Sequence, residues 1–240
     1  MYFVKTGIQW RYLPDCFPKW EAVYHYYALW KDRMILPTVL EELNKLARIK
    51  ILGYSNAKIG VIDSASISNS DLPSSYGYDG YKKVKGIKRF LVCDELGLIC
   101  GLRVTSANLA EVKGAKLTIT KQFKQRNYGM SEIYADKGFV SRNLKLQLSK
   151  LYISFRAMEK TGFIKNKSNH PIAIKIQTQR KTIAQYLNER IKHDRWKVER
   201  TFAWLQKYRR LNKNYERNYN SSETMVLIAC LKIALNKLRD

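Results

Sequence analysis

Two aspartates close short apolar runs: Asp63 follows Gly60-Val61-Ile62, and Asp136 follows Tyr134-Ala135. A carboxylate at the end of a strand sits at the rim of a sheet on a rigid support, where open sheets place their sites. A third acid, Glu199, lies beside Val198 on a predicted long helix. One residue past a buried position is about 100° around a helix, so Glu199 falls at the edge of the core face. A helix packed across the sheet can bring it to both aspartates. Three convergent carboxylates repel one another, and hard divalent cations such as Mg²⁺, which prefer oxygen ligands, stabilise them together. Two such ions about 3.5–4 Å apart activate an attacking oxygen and stabilise a leaving one in a displacement at phosphorus. The same residues have plainer readings. Asp63-Ser64 and Asp136-Lys137-Gly138 suit turns or caps, and Glu199 suits an ion pair with Arg195, four residues earlier. Spacing alone leaves both open.

The elements that must position these acids are legible as patterns. Residues 1–50 read as mostly helical, with Trp20, Val23, Tyr24, Tyr27 and Trp30 striping one face and Pro37 starting a second helix through Leu40, Leu43 and Leu46. From 59 to 155 the pattern changes. Strands are expected at 59–62, 90–93, 98–104, 132–135 and 151–155, with helices over 111–123 and 141–148. That order suits a mixed five-stranded sheet flanked by helices, an α/β fold. Residues 156–181 read as a basic insertion or loop. Thr182 and Gln185 form a capping-box pattern opening the long helix, whose buried stripe is Ile183, Leu187, Ile191, Val198, Phe202 and Leu205. Ser221 or Ser222 caps a last helix, Met225 to Leu238.

Charge narrows the partner. The 240 residues carry 44 Lys and Arg against 20 Asp and Glu, a net charge of +24, which points to a polyanion. The bases gather at Lys82, Lys83, Lys85, Lys88 and Arg89, and again from Arg156 to Arg217 among Trp196, Trp204, Tyr208 and Tyr215. Lys and Arg hold phosphates, and aromatics stack on unpaired bases. Cys16, Cys93, Cys100 and Cys230 have neither metal-type spacing nor disulfide density, and read as reduced, buried thiols of a cytosolic protein. The apolar run Met225 to Leu231 is cut by Lys232, so no segment is expected to span a bilayer, and no apolar leader follows Met1.

Four ordered motifs carry a resemblance. They are Thr6-Gly7-Ile8-Gln9-Trp10-Arg11-Tyr12-Leu13-Pro14 with Phe17 and Trp20; Lys82-Lys83-Val84-Lys85-Gly86-Ile87-Lys88-Arg89-Phe90 leading to Thr105-Ser106-Ala107-Asn108; Tyr134-Ala135-Asp136-Lys137-Gly138-Phe139; and Arg195-Trp196-Lys197-Val198-Glu199-Arg200-Thr201-Phe202-Ala203-Trp204-Leu205. Together they resemble bacterial insertion-sequence transposases of the DDE class, family five, within the family four/five superfamily. The resemblance implies a ribonuclease-H-like catalytic domain over 51–240, after a helical region at 1–50. It implies Asp63, Asp136 and Glu199 as the catalytic, metal-binding triad, with two Mg²⁺ ions for which Mn²⁺ substitutes. It also implies contacts to double-stranded DNA, namely terminal inverted repeats and target, made by a homodimer in the nucleoid of a bacterial cytoplasm. The bases assigned to DNA are Lys82, Lys83, Lys85, Lys88, Arg89, Arg195, Arg200, Lys207, Arg209 and Arg210, with Trp196 as a stacking surface. Arg195 and Glu199 keep the Arg and Glu of the family's last-helix signature. Lys192 stands where its Tyr is expected and Gln206 where its Lys is expected, with Lys207 or Arg209 as the replacement. Glu111, where such proteins commonly carry Asp, is read as non-catalytic. The chain starts within the first motif, so an N-terminal truncation is expected. Two rival readings remain: a metal-dependent nuclease of the same fold, and an inactive DNA-binding remnant.

Overall fold

Along the central strands apolar residues point alternately to both sides, so the sheet needs a cover on each face. A computed structural model describes residues 1–70, 76–158 and 171–239. Its sheet contains β1 (Ile59–Ser68), β2 (Gly77–Asp79), β3 (Val84–Cys93), β4 (Ile99–Ser106), β5 (Glu132–Ala135) and β6 (Ser154–Ala157). β1 is central, antiparallel to β3 on one side and parallel to β5 on the other, with β6 parallel beyond β5. β2 and β4 follow one another along the far side of β3. The helices are α1 (Tyr2–Thr6), α2 (Trp20–Asp32), α3 (Ile35–Leu52), α4 (Glu111–Thr118), α5 (Lys121–Arg126), α6 (Arg142–Ser149), α7 (Pro171–Gln206), α8 (Arg209–Asn212) and α9 (Tyr219–Arg239).

Each face has its own core. Val61, Leu91, Cys93 and Tyr134 pack against Ile191, Val198 and Leu205 of α7, Val226 and Ala229 of α9, and Tyr27 and Leu40 of the first helices. On the other face Ile62, Phe90, Val92 and Ile133 meet Ala115, Phe123, Leu144 and Leu148 of α4, α5 and α6. α4 approaches so closely that a Cβ on Gly114 would stand 2.1 Å from the Phe90 ring. α3 is pinned to the β3–β4 turn by a buried ion pair, Arg48 Nη1 to Asp94 Oδ2 at 2.7 Å, while Arg48 Nε donates to the Ser55 carbonyl. The outer edge of β4 is not left bare. Asn44 donates to the Ile99 carbonyl, and the Val104 amide donates to Glu223, which blunts an edge open to strand pairing.

The expected α/β architecture with a mixed sheet is present, and several elements depart from the sequence pattern. The sheet gains β2, three residues long and below the reach of any periodicity. The helix expected over 111–123 breaks, because Thr120 accepts the Phe123 amide and caps a new helix, α5. α7 begins at Pro171, so 171–181 are helical rather than loop and Thr182 is interior; residues 159–170 of the expected insertion lie outside the described residues. Ile183 is exposed, and the buried stripe starts only at Ile191, where α7 reaches the core. α9 begins at Tyr219, with the Asn218 side chain accepting the Ser221 amide in place of a serine cap. Of the α2 stripe only Tyr27 is buried; Tyr24 and Trp30 are exposed, and Trp10, stacked on Phe3 at 3.7 Å, packs against Tyr24 and Tyr27. Cys93 and Cys230 are buried thiols, but Cys16 is exposed and Cys100 half-buried. Among the described residues no helix is long and apolar enough to cross a membrane.

Candidate active site

The sheet register brings the two aspartates together. β5 pairs with β1 so that Ala135 faces Ile62. Asp63 and Asp136 are each the next residue, on neighbouring parallel strands about 4.8 Å apart, and both share the face of Val61 and Tyr134 that α7 covers. Asp136 ends its strand because its Oδ1 accepts the Lys137 amide at 2.7 Å, capping the 3₁₀ turn Lys137–Phe139. Asp63 Oδ1 accepts the Ser64 amide at 2.8 Å. α7 is seated on this face by fully buried Val198, which leaves Arg195 and Glu199, one turn apart, at the edge next to the aspartates.

All three acids meet one guanidinium. Arg195 Nη2 lies 3.1 Å from Glu199 Oε1 and 3.7 Å from Asp63 Oδ2, and its Nη1 lies 3.6 Å from Asp136 Oδ1. The acids differ in access to water: the side chains are 20%, 33% and 57% exposed for Asp63, Asp136 and Glu199. Burial pushes the Asp63 carboxyl above the usual carboxylate range; the Ser64 amide, Arg195 and Lys82 oppose that rise, and Asp136 adds to it.

This donor set fits a hard divalent cation in chemistry, being all carboxylate oxygen, and its members already gather round a single positive charge. As they stand, no three acidic, His or Cys side chains among the described residues are close enough to share an ion, because the guanidinium occupies the point of convergence. The ion-pair reading of Glu199 with Arg195 is also present in the geometry.

The basic residues divide. Lys82, Lys83 and Lys85 are exposed, with Lys82 Nζ donating to the Ser64 carbonyl beside Asp63. Lys207 and Arg209 are exposed. Lys88 and Arg89 are a correction to the sequence expectation: neither reaches the surface. β3 is covered on both faces, so each points into a core. Lys88 Nζ meets Asp79 Oδ2 at 3.2 Å, Glu111 Oε1 at 3.3 Å and the Leu109 carbonyl, and Arg89 Nη1 donates to the Leu211 carbonyl at 2.9 Å. Arg210 is tied to Glu216 at 2.8 Å. Arg200 donates to the Leu96 carbonyl and lies between the rings of Trp196 and Trp204, at 4.2 and 4.6 Å. Trp196 is 45% exposed, whereas Trp204 packs against the core.

Sequence reading missed what surrounds the site. Lys88, Asp79 and Glu111 form a buried network whose Glu111 accepts the Ser64 hydroxyl at 3.2 Å, directly behind Asp63. Glu111 and Lys88 are visible as charged residues, but their pairing is not, because Asp79, three residues before the Lys82–Arg89 cluster, lies in a strand too short to recognise.

A family model described as a transposase DDE domain matches residues 54–236, and a model of transposases of the IS4/5 family matches residues 1–40. No curated protein matches the chain. A match running from before the first strand to the last helix, on a mixed sheet of this order, settles the family: the chain belongs to the DDE transposases, of the IS4/5 type.

Proposed function

We propose that this transposase cuts DNA at the ends of its element and joins the freed 3′ ends to target DNA, with Asp63, Asp136 and Glu199 as the catalytic set. The observation that carries this reading is the convergence of three acids, from β1, the end of β5 and α7, on one cationic point. The motif Thr6-Gly7-Ile8-Gln9-Trp10-Arg11-Tyr12-Leu13-Pro14 supports family five within the IS4/5 type. DNA binding follows from the family, and terminal inverted repeats held by a homodimer are the partners this reading requires.

The family is generally dependent on divalent metal. Asp63, Asp136 and Glu199 would hold the ions, Mg²⁺ or Mn²⁺, which when bound activate an attacking oxygen and stabilise a leaving one. The chain's own residues do the rest. The parallel pair β1–β5 fixes the two aspartates, and α7 delivers Glu199. Lys82 beside Asp63, with exposed Lys83, Lys85, Lys207 and Arg209, draws the phosphate backbone to the sheet rim, which sets register without reading bases. Water attacks the scissile phosphorus, the bond to the 3′ oxygen breaks, and a 3′-hydroxyl and a 5′-phosphate result. That hydroxyl then attacks a target phosphodiester, losing its proton as the target's 3′ oxygen leaves. No covalent link to the protein is needed.

A strand-transfer assay with paired element ends, supercoiled target and Mg²⁺ tests the reading. Element 3′ ends covalently joined to target are expected. Cleavage with no joining makes the protein a nuclease, and binding with neither step makes it an inactive remnant.

A further inference from the structure

Each of the three carboxylates lies within 4 Å of the Arg195 guanidinium. We infer that Arg195 is an internal stand-in for the metal charge, holding Asp63, Asp136 and Glu199 together in the metal-free protein and leaving that position when an ion enters. This rests on the proposed assignment of the three acids as metal ligands.

Three facts support it. Three carboxylates this close repel, and one guanidinium is the only cation within 4 Å of all three among the described residues. Lys82, the next base, reaches only the Ser64 backbone and influences Asp63 from a distance.

The contacts are also loose. Only Glu199, at 3.1 Å, is hydrogen-bonded to Arg195; the aspartates, at 3.6 and 3.7 Å, are held by charge without a directed bond. The arginines that fasten this fold look different. Arg48 meets Asp94 at 2.7 Å in full burial, and Arg210 meets Glu216 through both Nε and Nη2, at 2.9 and 2.8 Å. A charge held by one directed bond, to Glu199, and by none to either aspartate exchanges readily for an ion that binds oxygen at roughly 2.1 Å.

Finally, the guanidinium has a way out. Arg195 sits on α7 one turn from Glu199, with its side chain 23% exposed. A side-chain rotation takes the guanidinium out, and the three carboxylates, too far apart to share an ion while it is there, then close on the metal. The departing guanidinium stays at the rim, where a phosphate arrives. The metal-free site is thus gathered round the arginine and blocked by it, and arginine and metal compete for the same three carboxylates.

Calorimetric titration of Mn²⁺ and of Mg²⁺ into DNA-free protein tests this, with melting temperatures measured in chelator and at saturating metal. Arg195→Ala is expected to bind either ion about tenfold tighter than wild type, within the usual range of site coupling, to melt lower than wild type in chelator, and to gain more on metal addition. Arg195→Gln keeps the bulk without the charge and is expected to behave alike. Magnesium is expected to shift the Arg195 guanidinium NMR signal of wild-type protein, which requires no variant. Equal or weaker metal binding by both variants, or an unmoved guanidinium signal at saturation, overturns the inference. Asp63→Asn separates the two layers. If it removes metal binding while the arginine variants bind like wild type, the ligand assignment stands and the stand-in role fails. If it binds metal like wild type, the ligand assignment fails and the inference falls with it.

Discussion

Asp63 is the most desolvated of the three acids, and its position works against stability. Because burial raises its carboxyl above the unfolded value, the folded state disfavours the ionised form. The penalty is present at pH values above the folded pKa and is relieved as pH falls through it. Asp63→Asn is therefore expected to melt at or above wild type at pH 7, with the gap closing as pH falls into the carboxylate range; a large loss at pH 7 in thermal unfolding would make Asp63 a structural residue. Functional groups commonly carry such a cost. Trp196 is the second residue with a separable role. One ring face is covered by Arg200 at 4.2 Å and nearly half the residue is open. Trp196→Ala is expected to lose only about 0.5–1 kcal/mol, the scale of an exposed cation–π contact, whereas Trp204→Ala, whose ring is half-buried against the core, costs more, up to about 3 kcal/mol. If Trp196 stacks on a base unpaired at the element end, its truncation slows cleavage of duplex ends and pre-frayed ends restore the rate. A melting loss as large as that of Trp204→Ala, with no rescue, returns Trp196 to packing.

At the scale of elements, two buried networks keep the site in register. Behind β1, burial alone would raise Asp79, but the Ser66 hydroxyl, the Lys82 amide and the Lys88 ammonium overturn that and hold it down at about 2. A depressed carboxylate contributes stability above the unfolded value, near 3.8, that is lost as pH falls toward 2. Asp79→Asn is thus expected to melt lower than wild type at pH 7, and the difference should shrink between about pH 4 and pH 2; a gap that stays constant across that window would contradict the network. On the other side, Arg48 and Asp94 lock α3 to the sheet. Asp94→Ala strands a buried guanidinium and is expected to cost about 3–5 kcal/mol in denaturant unfolding, while Arg48→Met with Asp94→Asn, which keeps an oxygen for the Leu96 and Leu98 amides, costs less. Much of this frame was legible in the sequence. The apolar run before Asp136 marks β5 and the Val198–Glu199 step marks the edge of α7, but the run before Asp63 marks only the first half of β1: the strand continues to Ser68, paired with β3, so Asp63 lies within it and not at its end. What escaped detection has physical causes. Lys88 and Arg89 read as surface because charge reads as surface, yet a strand covered on both faces offers none. The capping-box pattern at Thr182 and Gln185 lies inside α7, which is helical from Pro171 on, so no helix starts there. Thr120 broke a helix whose apolar spacing runs through the break. Arg195 is visible in the sequence as the ion-pair partner of Glu199; that both aspartates share it depends on the β1–β5 register, which no local pattern encodes.

For the molecule as a whole, charge governs binding and the fold governs chemistry. With a net charge of +24, affinity for DNA is expected to fall steeply with salt, each neutralised phosphate adding about −0.9 to the log–log slope. Replacing Lys82, Lys83 and Lys85 with Gln should flatten the slope by up to about that amount per lysine that meets a phosphate, and an unchanged slope in a binding titration would place this edge away from DNA. Lys88→Gln, by contrast, should act through stability, because its charge is spent inside. In the proposed function Asp63, Asp136 and Glu199, far apart in sequence, act as one catalytic set because β1, β5 and α7 bring them round one point. Single-turnover cleavage of an element end in Mg²⁺ by Asp63→Asn, Asp136→Asn and Glu199→Gln tests it most directly. Each variant is expected to slow strand cleavage by about a thousandfold or more, as members of a catalytic unit do, while DNA affinity stays close to wild type; cleavage at the wild-type rate by any one of the three would contradict the account.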